Sequence, residues 1–139
     1  MQLVMLRPAW EAFSRVWVTN NGLDARSLLR DERVVFAHGP GTRNIPNLLR
    51  NLALAWRTIG SVRPRVVLST GAAVAVPFAW VARIRGARVV YVESLTRIEQ
   101  PSLSCRLLAP VAARIYVQWP ELLRALPGAR YCGNVVPVD

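Results

Sequence analysis

The sequence predicts an α/β protein with a Rossmann-like parallel sheet and helices on both faces. Short β-branched runs such as residues 66–68 and 89–92 recur along the chain, separated by segments long enough for helices. These runs are apolar throughout rather than alternating, which is typical of parallel strands buried on both faces. Polar residues follow each run, and open α/β sheets hold ligands at the carboxyl ends of their strands. That edge of the sheet is therefore the predicted site.

The composition indicates one folded domain. The chain has 139 residues, of which 53% are hydrophobic and 19% charged, so a disordered chain is excluded and residues 1–139 are taken as a single Rossmann-like domain. Cys105 and Cys132 lie outside any CxxC pair and His38 is the only histidine, so we expect no metal site, no cofactor and a reducing compartment. Residues 66–82 are mostly apolar but fall short of the roughly 20 that a membrane span needs.

The charge of the chain predicts an anionic partner. The net charge is +10, and all 18 basic residues are arginine. Arginine suits the recognition of phosphates and anionic surfaces, although a GC-rich coding sequence would enrich it equally. Phospholipid head groups, diphosphates, an acidic protein and nucleic acid all fit this charge.

The first part of the chain predicts a helix at residues 2–13, with Pro8 weakening its middle, and strands at 16–19 and 34–37. A short helix or turn at 24–30 lies between the strands. Rossmann-like folds usually begin on a strand, and that strand lies where the ligand binds. We therefore expect either that an N-terminal strand and loop precede the chain as given or that a partner supplies that edge.

A long amphipathic helix is predicted next. Asn44 is its predicted N-cap, and it runs to about Gly60. Its apolar side, predicted to face the core, comprises Leu48, Leu49, Leu52, Trp56 and Ile59. Its polar side, predicted to face solvent, comprises Asn47, Arg50, Asn51 and Arg57.

The second part of the chain continues the alternation of predicted helices and strands. A helix at 74–84 ends before Gly86, a suitable C-cap residue, and Ser102 caps another helix. Trp119 ends the strand after Tyr116 and is either a stacking platform for a sugar or part of the core. The remaining predicted elements are a strand at 115–117, a short helix at 121–126 and a strand at 130–132.

Ser69, Thr70 and Gly71 form a predicted turn between a strand and a helix. Free N–H groups and the dipole at a helix N-terminus favour a phosphate or carboxylate. Small residues also occur where a strand and a helix pack tightly. Because the chain has no GxGxxG or GKS/T motif, the sequence leaves both interpretations open.

Other polar residues at strand ends and in loops are candidates for catalysis or binding. Glu93 ends an otherwise apolar strand, where it could bind sugar hydroxyls or act as a general base, or else cap the following loop or pair with Arg97. His38 is placed for a general base, although a plain loop residue would look the same. Arg43 and Asn44, in the same loop, could contact a diphosphate or be a solvated loop residue and a helix cap.

The series STGAAVAVPF, YVES and QWPE resembles the acceptor-side subunit of the two-subunit UDP-N-acetylglucosamine transferases. These comprise the eukaryotic enzyme that adds the second N-acetylglucosamine to dolichol-diphosphate-N-acetylglucosamine, and bacterial exopolysaccharide counterparts. The stretches WVTNN and FAHGPGTRNIPNLLRNLALAW also resemble bacterial members. More distantly, the order strand, small-residue loop, helix, strand and Glu93 is similar to the N-terminal half of the peptidoglycan lipid-intermediate N-acetylglucosamine transferase.

The resemblance implies the N-terminal half of a GT-B glycosyltransferase that is divided between two subunits. This subunit would bind a polyprenyl-diphosphate-linked acceptor as a peripheral protein at the cytoplasmic face of the membrane, and a separate donor-binding catalytic subunit would complete the site. Family members begin with a strand and a Gly-rich loop ending in His, so the chain as given is expected to be truncated at its N-terminus. The implied catalytic residues are Glu93 and His38. The implied substrate-binding residues are Ser69, Thr70, Gly71, Ser94, Arg43 and Asn44.

Two other function classes compete with this interpretation. A basic nucleic-acid-binding α/β module fits the arginine content, but the arginines are dispersed and no helix-turn-helix, RRM or KH pattern occurs, so no nucleic-acid partner is expected. A complete small-molecule enzyme of Rossmann type would require a dinucleotide fingerprint, which the sequence lacks.

Overall fold

The computed structural model describes residues 6–20, 30, 32–37, 45–70, 74–93, 100–126 and 128–132. Its α-helices are α1 Arg7–Trp10, α2 Ile45–Val62, α3 Ala75–Ile84 and α4 Leu103–Leu108. Its strands are β1 Trp17–Asn20, β2 Val34–Ala37, β3 Val66–Ser69, β4 Arg88–Val92, β5 Arg114–Val117 and β6 Arg130–Tyr131. Two 3-10 segments are Ala109–Val111 and Pro120–Arg124.

Every strand pairing among these residues is parallel, as the apolar runs predict. The strands form a two-stranded sheet, β1-β2, and a four-stranded sheet in the order β3-β4-β5-β6. Among the described residues no ladder of hydrogen bonds joins the two sheets. They share a core instead, since Ala37 of β2 lies in the same buried cluster as Val89 of β4 and Val18 of β1 packs against it.

The core lies between the four-stranded sheet and helices α3 and α4. Val89 and Tyr91 of β4 are fully buried, as apolar strands covered on both faces should be. Helix α3 buries five of its ten residues, Pro77, Phe78, Ala79, Val81 and Ala82, in keeping with its largely apolar sequence. The helix and loop residues that complete the core include Phe78, Ala79, Ala82, Cys105, Leu108 and Leu122.

Helix α3 ends where the sequence predicts. Arg85 is the C-cap residue, and Gly86 follows with φ +92°, a conformation that glycine adopts without a Cβ penalty. The Gly86 N–H donates to the Arg83 carbonyl at 3.1 Å and the Ala87 N–H donates to the Ala82 carbonyl at 2.9 Å. These bonds satisfy carbonyls of the last turn and direct the chain into β4.

The orientation of helix α2 corrects part of the prediction made for it: Ile59 is buried and Leu52 packs against the core as predicted, but other residues are not placed as expected. The helix buries Asn47, Asn51, Ala55 and Ile59, while Leu49 is 61% exposed and Trp56 51% exposed. The buried residues form a row at spacing i, i+4, and α2 packs chiefly against α3. Ala55, with no exposed surface, allows the two helices to approach closely. Contact with α3 therefore sets the rotation of α2, and its most apolar side faces outward.

Other boundaries differ in detail from the predictions. Helix α2 continues past Gly60 to Val62, and the predicted helix at 121–126 is a 3-10 segment, Pro120–Arg124. Of the helix predicted at residues 2–13, the structure shows α1, Arg7–Trp10. Most of the helix or turn predicted at 24–30 lies outside the described residues. No helix in the described part of the chain is long and apolar enough to cross a membrane.

Candidate functional site

The candidate site is the edge at which β3 and β4 end together. Ser69, the last residue of β3, pairs in register with Tyr91 of β4. Ser69 and Thr70 are both half-buried there, so part of each side chain remains accessible. Glu93 follows β4 at the same edge, and its backbone N–H donates to the carbonyl of Tyr116 on β5 at 2.8 Å. The fold therefore brings the ends of β3 and β4 together, as the sequence predicts, and β5 lies beside β4.

The Glu93 side chain has no exposed surface and accepts hydrogen bonds from residues on two elements. The Ser102 backbone N–H donates to Oε2 at 2.8 Å, and the Ser102 hydroxyl lies 3.1 Å from both carboxylate oxygens. The Tyr91 hydroxyl donates to Oε1 at 3.2 Å. The Cys105 thiol lies near enough to Glu93 for the carboxylate charge to raise the pKa of the thiol. The carboxylate thus lies inside a set of hydrogen-bond donors.

Ser102 links this carboxylate to helix α4. It is the N-cap residue, as predicted, with extended backbone angles, and its Oγ accepts from the Cys105 N–H at 3.1 Å. One hydroxyl therefore satisfies an unpaired helix amide and donates to Glu93. The Tyr91 hydroxyl lies 3.3 Å from the same oxygen and closes a polar cluster. We call Tyr91, Glu93, Ser102 and Cys105 the Glu93 cluster.

Burial raises two pKa values in this cluster. Desolvation, with the nearby Glu93 charge adding to it, raises the pKa of the Cys105 thiol from 9.0 to about 12. Desolvation also raises the pKa of the Tyr91 hydroxyl, with the Glu93 charge adding to the effect and the Ser102 hydrogen bond opposing it. Both groups are therefore neutral near pH 7 and act as hydrogen-bond donors. Cys132, by contrast, is exposed.

The end of β5 adds a polar residue that the sequence analysis did not single out. Gln118 directly follows β5 and is 2% exposed. The sequence could have indicated Gln118, because a polar residue that follows a strand of a parallel sheet lies at the carboxyl edge of that sheet. The neighbouring Trp119 is half-buried and precedes the Pro120–Arg124 segment.

The structure brings only part of the predicted site together. Ser69, Thr70 and Glu93 lie at one sheet edge, but Glu93 is enclosed while the other two are half-buried. The other predicted site residues, His38, Arg43, Asn44, Gly71 and Ser94, lie outside the described part of the chain. Within that part, no group of three or more His, Cys, Asp or Glu residues could hold a metal ion.

The same fold occurs in a solved structure, that of MurG. MurG of Acinetobacter baumannii superposes on 99% of this chain with a TM-score of 0.73, at 17% sequence identity and over 42% of the MurG chain. Parallel sheets, helices on their faces and a likeness to less than half of MurG confirm the predicted Rossmann-like GT-B domain. The fold and the polar sheet edge define the class: a parallel α/β domain of the Rossmann-like type.

The family follows from the sequence comparison. A family model described as "Oligosaccharide biosynthesis protein Alg14 like" matches residues 40–135, and the chain belongs to this family. The matched segment runs from α2 to the residues after β6 and therefore includes the whole candidate edge.

Curated relatives carry the name UDP-N-acetylglucosamine transferase subunit ALG14. The relative from Yarrowia lipolytica is 34% identical over 62% of this chain and 43% of its own length. The relative from Debaryomyces hansenii is 27% identical over 89% of this chain and 65% of its own length. The human relative is 33% identical over 63% of this chain and 44% of its own length. The chain thus matches roughly two fifths to two thirds of each of these relatives.

Proposed function

We propose that this chain is the acceptor-side subunit of a two-subunit glycosyltransferase that transfers N-acetylglucosamine from UDP-N-acetylglucosamine to a polyprenyl-diphosphate-linked acceptor. The family match across residues 40–135 carries the proposal, because it spans the sheet edge at which the polar residues gather. The relatives' shared name, a UDP-N-acetylglucosamine transferase subunit, supports the donor and the division into subunits. The product would serve polysaccharide or lipid-linked oligosaccharide assembly.

The proposed reaction is direct displacement at the anomeric carbon with inversion. The acceptor hydroxyl attacks, UDP leaves, and a base removes the hydroxyl proton. The sequence offers His38 and Glu93 for that base. Ser69 and Thr70 are half-buried at the strand end that precedes α3, where backbone N–H groups and side-chain hydroxyls suit the acceptor's diphosphate. Gly71, Ser94, Arg43 and Asn44 complete the proposed acceptor contacts.

This chain is proposed to supply one side of the site, with a second subunit completing it, because the relatives are named as subunits of a UDP-N-acetylglucosamine transferase. Its fold matches 42% of MurG, and a GT-B site lies between two Rossmann-like domains. The partner would bind the UDP-sugar and face the carboxyl edge of the four-stranded sheet. The chain alone is expected to transfer no sugar.

We propose peripheral contact with the cytoplasmic face of a membrane through α2. Ile45, Leu48, Leu49 and Trp56, which we call the α2 stripe, are exposed along one side of the helix. Exposed Arg50 and Arg57 flank this stripe, and the chain carries a net charge of +10. An apolar face beside arginines is typical of helices that lie in the interface of an anionic bilayer.

The test of the function is reconstitution. The chain is co-expressed with a candidate donor-binding subunit from the same cell, and co-purification is followed by transfer from radiolabelled UDP-N-acetylglucosamine to a polyprenyl-diphosphate-linked sugar. We expect a stoichiometric complex that transfers the label, and no transfer by either chain alone. A lone chain that binds no partner and retains nucleic acid through high salt would overturn the proposal.

A further inference from the structure

We propose that Glu93 is a positioning residue whose carboxylate fastens the end of β4 to the beginning of α4, rather than the base that contacts the acceptor. The inference concerns the site of the proposed transferase and rests on that function for its kinetic part. Its structural part rests only on contacts between described residues.

The contacts join two points that are nine residues apart in the chain. The Glu93 backbone N–H is held by the Tyr116 carbonyl of β5, and its side chain accepts from the backbone and hydroxyl of Ser102. Ser102 in turn caps α4 through the Cys105 N–H. Glu93 therefore connects the four-stranded sheet to α4 directly.

The protons of the cluster can be assigned consistently. The Ser102 N–H, the Ser102 hydroxyl and the Tyr91 hydroxyl each have a proton to donate, and all three lie within hydrogen-bond distance of the Glu93 carboxylate. The Ser102 oxygen remains free to accept from the Cys105 N–H. An acceptor-only carboxylate fits every neighbour in this arrangement.

The same arrangement opposes a direct catalytic role. A general base must come within about 3 Å of the proton that it removes, or reach it through one water. Glu93 has no exposed surface, and its two oxygens already lie against the donors of Ser102 and Tyr91. To meet an acceptor hydroxyl, it would have to leave these buried donors unpaired, which is costly.

The consequence for the reaction is geometric. The backbone and the side chain of Glu93 both form hydrogen bonds that hold the carboxyl end of β4 in place. This end lies next to Ser69 at the end of β3. Small displacements of groups that position a substrate can lower a rate by about 100-fold. A variant that loosens the Glu93 cluster should therefore raise the KM for the acceptor and leave donor binding by the other subunit unchanged.

Steady-state kinetics of the reconstituted pair distinguish the two roles. We would compare Glu93→Gln, Ser102→Ala and the double variant, with Ser104→Ala as the matched control on the same helix. A positioning role predicts that both single variants raise the acceptor KM, on the order of tenfold, and that the double variant is little worse than Glu93→Gln. The donor KM and the shape of the pH profile of kcat/KM should not change. Ser102→Thr, which keeps the hydroxyl, should restore most of the activity lost in Ser102→Ala.

A catalytic base predicts a different pattern. Glu93→Gln would lower kcat by about 10²–10⁴-fold and remove the ionisation of the base from the pH profile, while Ser102→Ala would behave like Ser104→Ala. That result would overturn the proposal.

Hydrogen exchange on this chain alone separates the inference from the proposed function. Glu93→Gln should speed exchange of the Ser102, Cys105 and Arg106 amides, because the first donates to Glu93, the second to the Ser102 hydroxyl and the third to the Ser102 carbonyl. The Gly86 and Ala87 amides at the end of α3 serve as internal controls. Unchanged exchange at the α4 amides would refute the fastening role even if the pair transfers sugar. Faster exchange of these amides in the chain, together with a reconstituted pair that transfers no sugar, would support the fastening role and reject the proposed transferase function.

Discussion

The guanidinium of Arg85 stacks on the indole of Trp56, with its central carbon 3.9 Å from the ring centroid. Arg85 is the C-cap residue of α3 and Trp56 belongs to α2, so this pair ties the two helices together at the surface. The same guanidinium passes beside Gly60, where a Cβ would lie 3.3 Å from three of its atoms. The absence of a side chain at position 60 is thus matched to the position of Arg85.

The first prediction tests this relationship. Alanine in place of a mid-helix glycine stabilises a helix by about 0.5–1 kcal/mol, but in Gly60→Ala the new methyl group pushes Arg85 away from Trp56. Because a cation–π contact at an exposed site contributes about 0.5–1 kcal/mol, we expect Gly60→Ala to be nearly neutral in the native chain. In an Arg85→Ala background the same change should stabilise by about 0.5–1 kcal/mol. Urea denaturation of the four chains measures this, and equal effects in both backgrounds would contradict the coupling.

The second prediction concerns the N-cap of α4. Ser102→Ala removes the acceptor of the Cys105 N–H and a hydroxyl donor to Glu93. We expect a loss of about 1–3 kcal/mol in the free energy of unfolding, since an N-cap contributes about 1 kcal/mol and a buried carboxylate loses a donor. Ser104→Ala, within α4, should change stability by less than about 0.5 kcal/mol. Comparable losses in the two variants would argue against a special role for Ser102.

The third prediction concerns the two cysteines. The buried Cys105 thiol has its pKa raised from 9.0 to about 12, whereas Cys132 is exposed. Iodoacetamide at pH 8 should therefore alkylate Cys132 in the folded chain and Cys105 only after denaturation. Mass spectrometry of tryptic peptides reads out both sites. Equal labelling of the folded chain would show that Cys105 is accessible.

The fourth prediction is a loss of stability at alkaline pH. A thiol pKa that is higher in the folded chain than in the unfolded chain means that the unfolded chain loses its proton first. The contribution of the Cys105 thiol to the stability of the fold is therefore complete below pH 9 and is lost as the pH rises from 9 to about 12. The free energy of unfolding should fall through this window by up to about 1.4 kcal/mol per pH unit. Cys105→Ala should flatten the slope, and an unchanged slope would assign the effect to other groups such as Tyr91.

The fifth prediction concerns the α2 stripe. Binding to vesicles that contain anionic phospholipid should weaken by about tenfold or more in Leu49→Glu and Trp56→Glu, because each places a carboxylate in the proposed interface. Arg50→Ala and Arg57→Ala should each weaken binding by about fivefold and lower its salt dependence. Leu123→Glu, at an exposed apolar residue away from α2, is the matched control. If the stripe variants bind vesicles normally but lose the second subunit, the stripe is a subunit interface instead.

The strand positions could be read from the sequence because they depend on local composition. The apolar runs around Val67 and Val89 predict buried parallel strands, and both pair in parallel. β4 is buried as predicted, but β3 lies at the edge of the four-stranded sheet and its Val66 is 54% exposed, so burial on both faces is wrong for β3. The roles of Gly86 and Ser102 were equally predictable. A glycine in the left-handed conformation after a helix and a hydroxyl at its N-cap both satisfy backbone groups of the helix that lie only a few residues away.

The orientation of α2 and the environment of Glu93 depended on contacts that no local pattern contains. The apolar stripe of α2 predicts that Leu49 and Trp56 are buried, but packing against α3 through Ala55 turns them outward. For Glu93 the sequence favoured a binding or catalytic role over a cap of the following loop or a pairing with Arg97.

The sequence by itself determined that this chain is a parallel α/β domain with polar residues at the carboxyl ends of β3 and β4, because backbone preferences and strand burial act over a few residues. The tertiary structure decided which of those polar residues is enclosed. Glu93 meets Ser102 only after β4, β5 and α4 have packed together, and those contacts place its carboxylate among buried donors. Burial and hydrogen-bond partners are properties of the packed chain, so the local sequence could not specify them.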